Sequence, residues 1–350
     1  MKDLHVLITG VGSPGIAGTI FSVRNNSENR PVTIIGTDIN DQVVGRYFCD
    51  DFYKIPKASS SEYLDTIISL CKKKGIDVLI PQNTAELLIL SDNKQLFKQI
   101  GTKILVSCNE AITKANDKFN LMKTAQCVGV PTTKFALCSD FENLKKNVEV
   151  IGQGEDVVVK PPISNGSRGV RIVTKNRNRK NDFYNEKPNS LYITLEELHE
   201  TLGDEFPELM VMEYLPGEEY TVDMFRNNRT FVAIPRVREV IRSGITFGAS
   251  LSNDERLIEY SRLLADACDL TLCFGFQFKL NKEGIPMLLE SNPRVQGTMV
   301  MSTFAGANVI YASVKDILGE PVPEFKIDWN TRLLRYWGAI GIREDEYTRI

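Results

Sequence analysis

Apolar positions in the first hundred residues come in short runs, at 4–9, 32–36, 78–80 and 103–106, and each is too short to make a helix. Between them the apolar residues recur with helical spacing, as at Tyr63, Leu64, Ile67, Ile68, Leu70 and Cys71. Strand and helix signals in alternation predict an α/β unit with a doubly wound parallel sheet over residues 1–112.

Over 113–212 the pattern changes. A helix is predicted at 118–128 with a stop at Gly129 and Pro131, then strands at 157–160 and 170–173. Residues 176–189 are polar and largely basic and read as a solvated loop. The third part, 213–350, holds strands, a helix over 255–270 and a hairpin over 274–292.

If Asn281, Lys282, Glu283 and Gly284 form the hairpin loop, Leu280 opposes Ile285 and Gln277 opposes Leu288. With side chains alternating, Gln277, Leu288, Glu290 and Asn292 then share one face, and Phe276, Phe278, Met287 and Leu289 the other. Oxygen donors gathered on one face suit a hard cation such as Mg²⁺. Arg294 is the next residue of that parity. The plainer alternative is a Glu290–Arg294 ion pair.

Composition narrows the choice. Of 350 residues 42% are apolar and 25% charged, and 45 acidic against 42 basic side chains give a net charge of −3. That balance speaks against a dedicated nucleic-acid or anionic-membrane binder. No apolar stretch approaches the roughly 20 residues needed to span a bilayer, and no signal peptide is evident, so a cytoplasmic location is expected. Seven cysteines without a C-x-x-C pair fit reduced thiols. His5 and His199 are the only histidines, which disfavours triad chemistry and leaves carboxylates, lysines, arginines or a metal to act.

Four further clusters stand out. Gly10, Gly12 and Gly15 follow the first strand, and Asp38 ends the second. This matches a dinucleotide fingerprint and keeps an NAD(P)-dependent oxidoreductase open; the same turn, through Gly12 and Ser13, could instead receive an anionic part of a substrate. Lys160 ends a strand and precedes a small-residue loop, 164–170, able to cover phosphates as a flap. An apolar strand runs into Glu213, Leu215 and Glu219, an edge suited to a flat heterocycle and its ribose. Arg236, Arg238 and Arg242 recur, and the first two share a strand face on which they could hold a carboxylate as a fork.

The order of Lys118, Lys160, glycine-rich loop, Glu213, Leu215, Glu219, Gln277 and Glu290-Ser291-Asn292-Pro293-Arg294 resembles the ATP-grasp superfamily, and within it the single-unit ligases similar to the carbamoyl phosphate synthase large chain. The likeness spans nearly the whole chain. It implies a Rossmann-like pre-ATP-grasp domain over 1–112 and a two-lobed α+β ATP-grasp fold: a lobe over 113–212 with lysines and flap, and a lobe over 213–350 with the metal and substrate site. It also implies ATP and Mg²⁺ as cofactors. Lys118, Lys160, Ser167, Arg168 and Gly169 would meet phosphates, Glu213, Leu215 and Leu288 the adenine region, and Glu219 the ribose. Gln277, Glu290 and Asn292 would hold Mg²⁺, with one ion or two left open by the amide at 277. Arg294 and Lys160 would be catalytic, and Arg236, Arg238, Arg294, Gly12 and Ser13 would face the substrate.

The activity so implied is ligation of a small-molecule carboxylate to an amine, or a thiol, through an acyl phosphate, with ADP and phosphate released. No nucleic-acid or membrane partner is expected, and a homodimer is an open possibility. The competing readings are the oxidoreductase and a catalytically silent nucleotide-binding module.

Overall fold

The computed structural model describes residues 3–164, 166, 168–185, 191–343 and 346–349. Its residues divide into two compact units, one of 1–116, 218–277 and 290–350, the other of 117–217 with 278–289.

In the first unit the apolar runs pair into an all-parallel sheet in the order Asp51–Lys54, Val32–Asp38, Leu4–Ile8, Val78–Ile80, Lys103–Ile104. Leu4 lies beside Val32, and Val6 beside Val78. A parallel sheet is buried on both faces, so its central strand is apolar without alternation: Val6, Leu7 and Ile8 are all fully buried. Leu4, Val6 and Ile8 join one core and Leu7 another on the opposite face. The edge strand Asp51–Lys54 escaped the sequence pattern because its four residues are half-buried or exposed and carry no apolar run.

A six-stranded sheet follows the order Pro286–Asn292, Leu272–Leu280, Glu219–Arg226, Phe231–Arg242, Ile245–Leu251, Arg332–Leu334; its residues 278–289 count with the second unit and the rest with the first. Phe225, Ile234 and Cys273 from it enter the core that also contains Leu4 and Val6.

The hairpin differs from expectation at its turn. Gly284 N–H donates to Asn281 O at 3.1 Å, and Asn281 N–H to Ile285 O at 3.0 Å. The loop is therefore three residues, Lys282, Glu283 and Gly284. Gly284 takes φ +74°, which closes a type I turn with a bulge, and the Asn281 side chain accepts from Ile285 N–H at 2.8 Å. Leu280 is not opposite Ile285. Counted on without interruption, Phe278 meets Leu288, and both are fully buried. The alternation argument that grouped Gln277 with Leu288, Glu290 and Asn292 falls with the four-residue loop.

The second unit has a sheet in the order Phe135–Asp140, Glu205–Glu213, Val157–Lys160, Arg171–Val173, Tyr192–Ile193. The helix Phe141–Gly152 buries Leu144 and Val148 in the same core as Val157, Val159 and Val211. The helix Lys118–Cys127 starts at Asp117, whose side chain accepts from Phe119 N–H at 2.9 Å and Asn120 N–H at 3.0 Å. The basic run expected to be a loop contains a helix, Arg179–Asn185. Asn178 caps it through Asn181 N–H, and Arg177 bridges Asp182 and Glu197, so charges counted as solvated are paired. Residues 186–189 of that run lie outside the described residues.

Candidate active site

In the first unit Arg294 is anchored by three hydrogen bonds. Its Nη2 donates to Asn292 Oδ1 at 3.2 Å, Nη1 to Val295 O at 2.9 Å and Nε to Thr84 Oγ1 at 3.1 Å. Burial lowers its pKa, and the charge of Glu290 works the other way. Glu290 and Asn292 close the strand Pro286–Asn292, and a tight turn, Arg294 N–H to Asn292 O at 2.8 Å, brings Arg294 back beside them. Two oxygen-bearing side chains could supply part of the oxygen set of a hard cation, although one Asn292 lone pair already serves Arg294. Gln277 lies on the neighbouring strand. Among the described residues no three His, Cys, Asp or Glu side chains cluster as a metal site.

Arg236 is only 2% exposed and Asp223 fully buried. Arg236 Nε donates to Asp223 Oδ2 at 3.1 Å and Nη2 to Oδ1 at 3.4 Å. Ser302 Oγ at 3.0 Å and Gln296 Nε2 at 3.5 Å donate to the same carboxylate. Arg236 Nη1 is buried with no hydrogen-bond partner, a costly state for a charged donor unless something else occupies it. Arg335 donates to Pro14 O at 3.2 Å and to Gly297 O, and its pKa is lowered by burial and, next, by the charge of Arg236. Two neighbouring guanidiniums, one with an idle donor, could receive an anion.

The expected fork of Arg236 and Arg238 is not formed. Arg238 is bound by Glu219, by Thr246 Oγ1 at 2.8 Å and by Gly244 O at 2.7 Å. Glu219, expected to receive a ribose, is engaged in that ion pair. Arg242 is exposed, its guanidinium 5.1 Å from the centroid of Phe247. Arg335 went unnoticed in the sequence because no local motif marks it; it enters through the short strand Arg332–Leu334, which pairs with Ile245–Leu251.

In the second unit Lys118 and Lys160 are 4% and 6% exposed. Lys118 Nζ donates to Ser164 O at 2.7 Å, and Lys160 Nζ to Leu289 O at 3.4 Å. The flap's Gly169 has φ +73°, and a Cβ there would meet Pro161 Cδ at 2.7 Å, so glycine is required. Arg168 is exposed, and Ser167 lies outside the described residues. Glu213 N–H donates to Lys134 O at 3.1 Å, Leu215 is buried, and Leu288 N–H donates to Pro131 O at 3.0 Å.

The N-terminal glycine turn is filled by the protein itself. Gly12 N–H donates to Asp38 Oδ2 at 2.8 Å, so the acid that a nicotinamide dinucleotide would require for its ribose closes the turn instead. A Cβ on Gly12 would lie 2.9 Å from Val43, and one on Gly15 2.4 Å from Gly297 Cα. The backbone of Gly297 thus packs closely against Gly15 at the start of the helix Ile16–Arg24. The Gly12 N–H is taken up by Asp38, while Ser13 Oγ is buried without a partner among the described residues. Neither histidine joins these groups: His5 contacts Lys74 O, and His199 stacks on Phe141. All seven cysteines are free thiols, and no helix among the described residues is long and apolar enough to cross a membrane.

A parallel-sheet N-terminal domain followed by an ATP-grasp domain is the class these features define. Residues 6–105 match the family model described as PylC-like, N-terminal domain, and residues 205–334 match that described as ATP-grasp in the biosynthetic pathway with Ter operon. The chain carries both domains.

Over 275 residues it is 26% identical to a carbamoyl phosphate synthase large chain from Agathobacter rectalis, covering 75% of this chain and 24% of that one, so it spans about a quarter of that relative's length. The fold resembles N5-carboxyaminoimidazole synthetase from Staphylococcus aureus complexed with ADP, at TM-score 0.66 and 16% identity over 95% of this chain and 80% of that one. It also resembles the biotin carboxylase domain dimer of Hydrogenobacter thermophilus 2-oxoglutarate carboxylase, solved with MgADP, ADP and bicarbonate, at TM-score 0.65 and 15% identity over 94% and 73% of the two chains.

Proposed function

We propose that the protein is an ATP- and Mg²⁺-dependent ligase that joins a small carboxylate to an amine and releases ADP and phosphate. The observation that carries this reading is the half-buried Arg294 bonded to Asn292 with Glu290 alongside. Solved structures of similar fold that hold ADP or MgADP support it.

Lys118 and Lys160 would meet the phosphates of ATP, with Arg168, Gly169 and Ser167 of the flap over them. Glu213, Leu215 and Leu288 would border the adenine. Glu290 and Asn292, with Gln277 as a third candidate by resemblance, would hold Mg²⁺, which offsets charge on the phosphate oxygens. The substrate carboxylate would take up the idle Nη1 of Arg236 with the help of Arg335. An oxygen of that carboxylate attacks the γ-phosphorus, and the bond to the β-phosphate bridging oxygen breaks as ADP leaves. An amine then attacks the acyl carbon of the acyl phosphate, phosphate departs with the electron pair of the broken C–O bond, and the amine gives up a proton. Arg294 is placed to steady the transferred phosphoryl group.

The test is a screen of amino acids and small carboxylates, alone and with amines, quantifying ADP and phosphate together. A pair that releases both in equal amounts, with activity lost in Glu290→Ala, is the expected result. If no pair releases ADP while ADP and Mg²⁺ still bind, the chain is a silent nucleotide-binding module and the ligase reading is wrong.

A further inference from the structure

Within the first unit a cleft of about 850 Å³ is lined by residues 94–106, by the turn at 227–230, by Thr271 and Leu272 and by the end of the helix Val309–Leu318 with the residues that follow. No residue assigned above to nucleotide, metal or substrate lines it. Four cations do: Lys94, Lys98, Lys103 and Arg229. The side chains of Lys98, Lys103 and Arg229 make no hydrogen bond or ion pair among the described residues.

The two acids of the lining are occupied elsewhere. Asp316 accepts from Asn227 Nδ2 at 2.6 Å, and Glu320 pairs with Arg30 at 2.9 Å. Lys94 is half-buried and donates only to neutral acceptors, Val106 O at 2.7 Å and Ser107 O at 3.0 Å, and burial lowers its pKa. A partly desolvated ammonium without a counter-ion is costly, and an anion in the cleft would offset that cost. Ile104, Ile317 and Val322 supply an apolar wall. The volume falls in the range of small-molecule sites, roughly 300–1,000 Å³.

We propose that this cleft binds a small phosphorylated organic molecule, its phosphate held by Lys94, Lys98, Lys103 and Arg229 and its carbon body by the apolar wall. Lysines act as compact point charges that suit a doubly charged phosphate. The site is independent of the ligase reading.

The test is calorimetric titration of the full chain with inorganic pyrophosphate and with AMP at low ionic strength. Both are expected to bind, AMP the more tightly because of its organic part. Lys98→Gln/Lys103→Gln should weaken both by about tenfold or more, as expected for lost charge-assisted contacts. Lys160→Gln should leave the cleft's binding unchanged. Equal affinity in wild type and the double variant, loss of all binding in Lys160→Gln, or no binding at millimolar probe would each overturn the proposal. If circular dichroism shows the double variant to be unfolded, Lys98→Gln and Arg229→Gln, both at exposed positions, carry the same comparison singly.

Discussion

Among the described residues Asp223 is the sole carboxylate on the buried Arg236: their closest approach is 3.1 Å, and neither side chain is more than 2% exposed. Removing the acid strands a buried charge. Asp223→Asn is expected to lower unfolding free energy by about 3–5 kcal/mol, as for other broken buried pairs, and urea denaturation measures it. A loss under 1 kcal/mol would show that Arg236 has another anchor.

Arg236→Lys retains the charge and loses the planar fork with its idle Nη1. If a substrate carboxylate uses that donor, KM for the carboxylate rises by about tenfold or more while KM for ATP stays put. Steady-state kinetics with each substrate varied in turn decides this, and an equal rise in both constants would place the effect on the fold.

Glu290→Gln is nearly isosteric and removes the negative charge. Mg²⁺-dependent ADP release should fall by about 10²-fold or more, with the melting temperature little changed. Gln277→Ala run in parallel assesses the third ligand: activity equal to wild type would remove Gln277 from the metal set.

ADP with Mg²⁺ should raise the melting temperature by mass action, and NADH and NADPH should not, because Asp38 and Gly297 occupy the glycine turn. Stabilisation by NADPH alone would reverse the assignment.

Glu86 is buried beside Thr9, whose hydroxyl donates to it, and near Tyr63 and Asp38. Burial raises its pKa to about 7. Folded Glu86 therefore keeps its proton where the unfolded residue has lost it. Its stabilising contribution is whole below the unfolded value of about 4.5 and declines as pH rises to about 7, by on the order of 3 kcal/mol. Glu86→Gln removes this dependence. Its advantage over wild type in urea midpoint should be larger at pH 8 than at pH 5, and a constant difference would refute the assignment.

Much of the architecture was legible in local pattern. The strand Leu4–Ile8 and the helix Lys118–Cys127 declare themselves because burial on both faces demands an unbroken apolar run, and because Gly129 and Pro131 mark the helix's stop. The edge strand Asp51–Lys54 and the helix Arg179–Asn185 did not, since one has no apolar run and the other draws on an ion pair from Arg177 to Glu197 twenty positions away.

The candidate chemistry divides the same way. Lys118, Lys160, Glu290, Asn292 and Arg294 were nominated by type and order along the chain, which needs no knowledge of tertiary contacts. Contacts distant in sequence decided the rest. Asp38 seals the glycine turn, Glu219 claims Arg238, Arg335 arrives beside Arg236, and the Asn281 turn moves the hairpin by one position. Local sequence thus determined which segments are strands or helices and which side chains carry useful chemistry. Only the tertiary structure decided which of those side chains are already satisfied and which remain idle, because a hydrogen bond depends on separations of about 3 Å between groups whose sequence distance carries no information.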